Sequence, residues 1–156
     1  AVGRRASGHA RAEVWPSAES VLRAVTRIYE DTRFDLDGNR DAAVAMERQD
    51  LDEILGNLIE NAAKYGGGSV FVTIDAVRAA KDCTIWIEDD GMGIPESARA
   101  KIFDRGARLD TGKPGTGLGL AIVRDVVQIY GGSVDLDESE DLGGLLVRLT
   151  LPRSAP

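Results

Sequence analysis

Several things are scarce in this chain. No run of about 18 apolar residues occurs, so nothing in it reads as a membrane-spanning helix. Cys83 is the one cysteine, which excludes an intrachain disulfide. It lies in an apolar run and reads as a buried thiol, compatible with a reducing compartment. Aromatics supply 5% of the residues, so the core must be mostly Val, Ile, Leu and Ala. Positive charge is also in deficit. Nineteen Lys and Arg face 26 Asp and Glu, leaving a net charge of −7. That argues against nucleic acid or an anionic membrane as the main partner. It leaves room for an anionic ligand held by a few local cations. The opening AVGRRASGHA lacks the apolar stretch of a signal peptide, and residues 1–11 read as a linker or remnant. Repeats and long low-complexity segments are absent too.

What is present begins with length and glycine. The 156 residues suit one domain with a real core. Glycine numbers 18, where ordinary usage of ~7% would give about 11. The excess is bunched at 91–93, 106–119, 131–132 and 143–144. Bunched glycine marks turns, or backbone that must approach a ligand closely.

Apolar periodicity predicts the elements. A first helix runs from a Ser17 cap to about Glu30, with Val21, Leu22, Val25, Ile28 and Tyr29 on one face. DTRFDLDGNRDAAVAME reads as two short strands around a DGN turn. QDLDEILGNLIENAAKY is a second helix with Leu51, Ile54, Leu55, Leu58, Ile59 and Ala62 as its apolar stripe. SVFVTIDAV and CTIWIEDD are strands joined by a short polar link. PESARAKIF is a short helix with Pro95 at its start, and DRGARLDTGKPGTG is a charged, glycine-rich loop. LGLAIVRDVVQIY is a third long helix stopped by Gly131 and Gly132, and SVDLDES with LLVRLTLP closes the chain as a hairpin. One-sided helices alternating with strand pairs give an α+β two-layer sandwich: a mixed, largely antiparallel sheet with helices on one face.

Three stretches carry chemistry. In LGNLIENAAKYGGG, Glu53, Asn57, Asn61 and Lys64 form a polar line beside the apolar stripe. A solvated flank is the plain alternative, but such a flank favours Glu, Lys or Gln over Asn. Amide oxygens suit a hard cation such as Mg²⁺, which usually arrives with phosphates. Lys64 then serves as a phosphate point charge. In IWIEDDGMGIP, a strand runs into a tight turn at Gly91 and Gly93, holding Asp89 at the strand's end. An acidic residue before a helix can simply answer the helix dipole. It can equally accept a hydrogen bond from an amino group such as that of adenine. In PGTGLGLAIVRD, Gly115, Gly117 and Gly119 lead into a helix, with Arg105, Arg108 and Lys113 upstream. Free amides at a helix start bind anions, and missing side chains let phosphates come close. A dinucleotide fingerprint fails here, because this glycine run follows a loop rather than a strand. No P-loop G-K-[ST] is present either.

Together the motifs resemble the ATP-binding catalytic domain of sensor histidine kinases, within the GHKL ATPase superfamily. That family carries an N box, a G1 box, an F box and a G2 box, in that order. Here they stand as EILGNLIENAAKY, DDGMGIP, IFDRG and GTGLGLAI. The resemblance covers residues 12–152 as one catalytic domain, with 153–156 as a tail, and implies the Bergerat ATP-binding fold. The loop DRGARLDTGKPGTG is similar to the short lid of PhoQ-type sensor kinases.

The resemblance also implies roles. Asn57 and Asn61 lie by the triphosphate, with Asn61 the main Mg²⁺ ligand. Asp89 binds the adenine amino group, Tyr65 packs on the base, and Gly91, Gly93 and Ile94 shape the pocket floor. Lys64, Arg108 and Lys113 face phosphates, and Phe103 anchors the lid. Gly115, Thr116, Gly117, Leu118, Gly119 and Leu120 wrap the phosphates. Glu53 matches the general base of the superfamily's ATPases. The sequence departs from the family's G1 box at Met92, where Pro is common, and at Asp90, where Asn is common; neither is expected to touch the key residues. His9, in SGHARAE, does not match the family's phosphoacceptor box and reads as a linker or tag histidine. The expected partners are therefore ATP, Mg²⁺, a phosphoacceptor and dimerisation domain outside this chain, and a response regulator reached through the full-length kinase. The domain is expected to be a cytoplasmic monomer, cut from an inner-membrane sensor kinase, and unable to phosphorylate itself efficiently. Another GHKL ATPase or serine kinase, and a degenerate docking module, remain as alternatives.

Overall fold

The computed structural model describes residues 10–76, 80–99, 101–103 and 119–154. Period-two alternation along its strands builds one buried sheet face and one open face. Strand β4 (Ser69–Asp75) buries Val70, Val72 and Ile74, and β5 (Asp82–Asp89) buries Cys83, Ile85, Ile87 and Asp89. They pair antiparallel with Val72 opposite Ile87 and Ile74 opposite Ile85, so the buried rows coincide. The expected closing hairpin is present: β6 (Ser133–Glu138) pairs antiparallel with β7 (Leu145–Pro152), which buries Val147, Leu149 and Leu151. Each such side chain removed from water contributes about 1.5–3 kcal/mol.

The strand order is β2-β4-β5-β7-β6, with β2 (Arg33–Gly38) parallel to β4 and every other pair antiparallel. This corrects the hairpin expected around the DGN turn. The second short strand, β3 (Ala43–Val44), leaves β2 and pairs instead with β1 (Ala12–Glu13). A parallel β2–β4 pair needs a crossover, and the helix α2 (Arg48–Tyr65) lies between the two strands in the chain.

Helix α1 (Val14–Ile28) starts earlier than its sequence pattern indicated. Ser17 is not its cap. It is fully buried, and its hydroxyl donates to Asp52 of α2 across 2.5 Å. Ile28 is also displaced from its expected role, being 66% exposed at the helix end. Helix α2 follows its predicted stripe, burying Leu51, Ile54, Leu55, Leu58, Ile59 and Ala62. Instead of one helix, PESARAKIF forms a single turn, α3 (Glu96–Arg99), then a 3-10 turn at Lys101–Phe103. Helix α4 (Leu120–Ile129) is stopped as expected: Gly131 adopts φ +81°, and the Gly132 N–H donates to the Val127 carbonyl.

Candidate nucleotide site

The site grows from the end of β5. Alternation puts Asp89 on the buried face with the apolar residues before it, and it is 5% exposed. Its Oδ1 accepts two backbone N–H bonds, from Gly91 at 2.9 Å and Leu145 at 3.2 Å. Among the described residues both contacts use Oδ1, so Oδ2 is the oxygen left for a donor in the cavity. Burial raises the Asp89 pKa, the Gly91 and Leu145 amides pull it back, and neighbouring Asp90 raises it.

Glycine is required around this carboxylate for reasons of space. A Cβ on Gly91 would stand 2.4 Å from the Tyr65 carbonyl, and Gly93 holds φ +73°. Asp90 turns the other way, and its Oδ1 accepts the N–H groups of Gly67 at 2.8 Å and Ser69 at 3.0 Å. It thereby clasps the glycine turn that ends α2.

Beside Asp89 opens a pocket that is continuous with solvent at its mouth. Helix α2 supplies Leu58, Asn61, Ala62 and Tyr65; the β5 loop supplies Asp89, Met92, Gly93 and Ile94. Leu120 of α4 and Leu145 and Val147 of β7 complete the wall. The lining is mostly apolar, with Asp89 and Asn61 as its polar members, the usual make-up of a site for a flat heterocycle with a polar edge.

Along α2 the two asparagines touch: Asn61 Nδ2 donates to Asn57 Oδ1 at 3.1 Å. Gly119, in the left-handed region at φ +67°, caps α4 directly against Asn57, where a Cβ would come within 2.5 Å of Asn57 Nδ2. No group of three or more His, Cys, Asp or Glu able to hold a metal occurs among the described residues. The amide donors therefore fit a hard cation that brings phosphate and water ligands with it.

Of the residues singled out in the sequence, Asn61, Tyr65, Asp89, Gly93, Ile94 and Leu120 share the pocket wall. Asn57, Gly91 and Gly119 stand immediately behind it. Lys64 is not on that wall; its ammonium lies 5.4 Å from the centre of the Tyr65 ring. Phe103 also lies off the wall, under the Arg124 guanidinium at 5.1 Å. Glu53 is solvent-exposed on α2. Arg108, Lys113, Gly115, Thr116, Gly117 and Leu118 lie outside the described residues, as do Arg105 and His9. Met92 also lines the pocket, while remaining 81% exposed. Sequence reasoning missed Gly144, Leu145 and Val147. The only available signal was the glycine pair at 143–144, which reads equally well as a plain hairpin turn.

Residues 46–155 match the family described as "Histidine kinase-, DNA gyrase B-, and HSP90-like ATPase". The chain belongs to this family. Within it, the relatives are sensor kinases. The chain is 40% identical over 141 residues to the "Two-component sensor PhoQ" of Pseudomonas aeruginosa, covering 89% of this chain and 31% of that protein. The "Mycobacterial sensor histidine kinase MprB" superimposes with TM-score 0.81 at 27% identity, covering 95% of this chain and 99% of that one. The ATP binding domain of PrrB from Mycobacterium tuberculosis gives TM-score 0.78 at 29% identity, over 96% and 100% of the two chains. The chain is thus an ATP-binding catalytic domain of the sensor histidine kinase type, and it spans about a third of the length of the PhoQ relative.

Proposed function

We propose that this domain binds Mg²⁺-ATP and presents its γ-phosphate to a histidine on a separate dimerisation domain. The observation that carries the adenine end is the Asp89 carboxylate. It is buried at the pocket wall, with Oδ1 taken by two amides and Oδ2 left for the purine amino group. Tyr65 and Ile94 pack on the base. The Asn57–Asn61 pair faces the triphosphate, and the Gly119 approach to Asn57 brings the start of α4 over the same phosphates.

The Asn61 and Asn57 amides would hold Mg²⁺ together with the nucleotide, and the ion would supply charge neutralisation on the transferring phosphoryl group. Lys64, with Arg108 and Lys113 from the loop, adds cationic charge there. Glu53, exposed on α2, stands at the position of the superfamily's general base and would act on the acceptor imidazole in place of water. In the transfer, the bond between the γ-phosphorus and the bridging oxygen breaks as a nitrogen–phosphorus bond forms, and ADP leaves. The rest is positioning, which is where such enzymes gain most of their rate. By likeness to the two-component sensor relatives, the intact protein would pass the phosphate to a response regulator and sit at a membrane.

The test is phosphate transfer in trans. A separately expressed helical hairpin bearing a phosphoacceptor histidine is mixed with this domain and γ-labelled ATP. Label that is acid-labile, alkali-stable and dependent on this domain supports the proposal. Label on serine, or none while ATP binds normally, contradicts it.

A further inference from the structure

The hydroxyl of Tyr130 donates to Asp50 Oδ2 across 2.5 Å. The two residues are 80 positions apart, and they are 8% and 6% exposed. Neither belongs to the pocket wall. Asp50 stands in the first turn of α2, and Tyr130 immediately follows the last residue of α4. We propose that this pair fixes the axial position of α4 along α2, and so sets where the start of α4 meets the triphosphate. Asp50 and Tyr130 are then positioning residues for the nucleotide, an assignment that rests on the function proposed above.

The geometry of the two helices carries the argument. Two contacts join them at specific places. One is Gly119 against Asn57, at the start of α4. The other is Tyr130 against Asp50, at its end. On α2, Asp50 and Asn57 are about two turns, or ~10 Å, apart on one side of the helix. On α4, Gly119 and Tyr130 are separated by the whole helix. Between these points Leu120, Val123 and Val127 of α4 enter the apolar core that α2 also lines. Apolar contact is non-directional and permits sliding. A buried phenol–carboxylate hydrogen bond does not, because it weakens steeply with distance and angle. Burial and the carboxylate push the Tyr130 pKa up to about 12, so the phenol keeps its proton and remains the donor at any physiological pH. The Gly119 contact alone cannot fix the register, because glycine has no side chain to lock. It sets how closely the helices approach, and the Tyr130–Asp50 bond sets where along the axis they do so.

The consequence falls on one part of the ligand. Of the pocket residues proposed to hold the base, Asp89, Tyr65 and Ile94 lie off α4, and Leu120 lies on it. The phosphates meet its first residues. Loss of the bond should therefore weaken triphosphate binding more than adenosine binding. Tyr130→Phe keeps the ring and removes the donor. The double variant Asp50→Leu/Tyr130→Phe makes both partners of this bond apolar, the change that costs least when a buried pair is removed.

The experiment measures calorimetric affinities of the wild type and both variants for adenosine and for a non-hydrolysable ATP analogue with Mg²⁺, beside thermal midpoints. A tenfold loss for the triphosphate, on the order expected from a sub-ångström displacement, with adenosine affinity held within about twofold, supports the assignment. So does persistence of that loss in the double variant after its midpoint has recovered. Unchanged triphosphate affinity in folded Tyr130→Phe overturns it. Equal loss of both ligands, or triphosphate affinity that returns with stability, also overturns it and makes the pair merely structural. Should Tyr130→Phe fail to fold, the double variant gives the same comparison. Failure of the wild type to bind either ligand sinks the nucleotide reading itself, and is seen before any variant is compared.

Discussion

Leu145 donates its backbone N–H to Oδ1 of Asp89, 56 positions earlier in the chain. The bond joins the last strand to the carboxylate on which adenine recognition rests. It is possible only because Gly144 precedes it. A Cβ there would stand 2.3 Å from the Asp89 carbonyl oxygen and 2.4 Å from Oδ1. Gly144→Ala should therefore push the β7 backbone away and weaken ATP binding at least tenfold (about 1.4 kcal/mol). Wild-type affinity in a folded Gly144→Ala variant would show that the carboxylate does not depend on β7.

Gly56 is the control for this argument. It lies within α2, and a Cβ there meets nothing within 4 Å. Gly56→Ala should raise stability by roughly 0.5–1 kcal/mol, since alanine loses less conformational freedom in a helix. Denaturant titration measures the difference, and a loss of stability would mean that position carries an unseen contact.

Binding and stability should respond oppositely to acid at Asp89. Burial raises its pKa above the ordinary 3.8, against the pull of the Gly91 and Leu145 amides. The ionised form is the better acceptor for an amino group, so ATP affinity should fall on acidification with a midpoint above 3.8. Linkage runs the other way. Between 3.8 and the raised folded value, the folded state keeps a proton that the unfolded state has released. This group's contribution to stability is full below that window and is lost as pH rises through it. Affinity and denaturant stability measured across acidic pH, with Asp89→Asn as the reference, check both signs. An acid-limb midpoint identical in the two proteins would remove Asp89 from the account.

Asp90→Ala should loosen the turn at the end of α2. Its carboxylate accepts both the Gly67 and the Ser69 amides. Hydrogen bonds to a charged acceptor at a partly exposed site contribute about 1–2 kcal/mol. Amide exchange at Gly67 and Ser69 should quicken in the variant. Unchanged protection there would mean that the turn is held by something else.

At alkaline pH the molecule should weaken in two steps. The Cys83 thiol is fully buried and pushed up to about 11 from 9.0, and Tyr130 is raised to about 12 from 10.0. Each contribution is complete below the ordinary value and is lost as pH rises toward the folded one. Cys83 should resist thiol reagents at pH 8 until the domain unfolds. Rapid labelling of the native protein would contradict its placement.

Local patterning made much of this legible beforehand. The stripe of α2, the alternation of β4 and β5 and the β6–β7 hairpin all follow from side chains repeating at helix or strand period. The polar line Asn57–Asn61 was visible because asparagine is out of place in a helix. What escaped depended on contacts far apart in the chain. The parallel pairing of β2 with β4 sets Val72 opposite Leu36 across α2, and no local pattern encodes that register. The departure of Ala43–Val44 to pair with Ala12–Glu13 is of the same kind. Ser17 looked like a cap because caps and buried serines are the same letter, and only Asp52 on another helix tells them apart. Gly144 looked like turn punctuation for the same reason.

The most direct test of the central claim is calorimetric titration of a non-hydrolysable ATP analogue into this domain, with and without Mg²⁺, alongside GTP. The account predicts saturable binding of the adenine nucleotide, strengthened by Mg²⁺ in the wild type but not in Asn61→Ala, with GTP excluded. Equal competition by GTP would contradict the role of Asp89, and absence of binding at millimolar nucleotide would contradict the site as a whole.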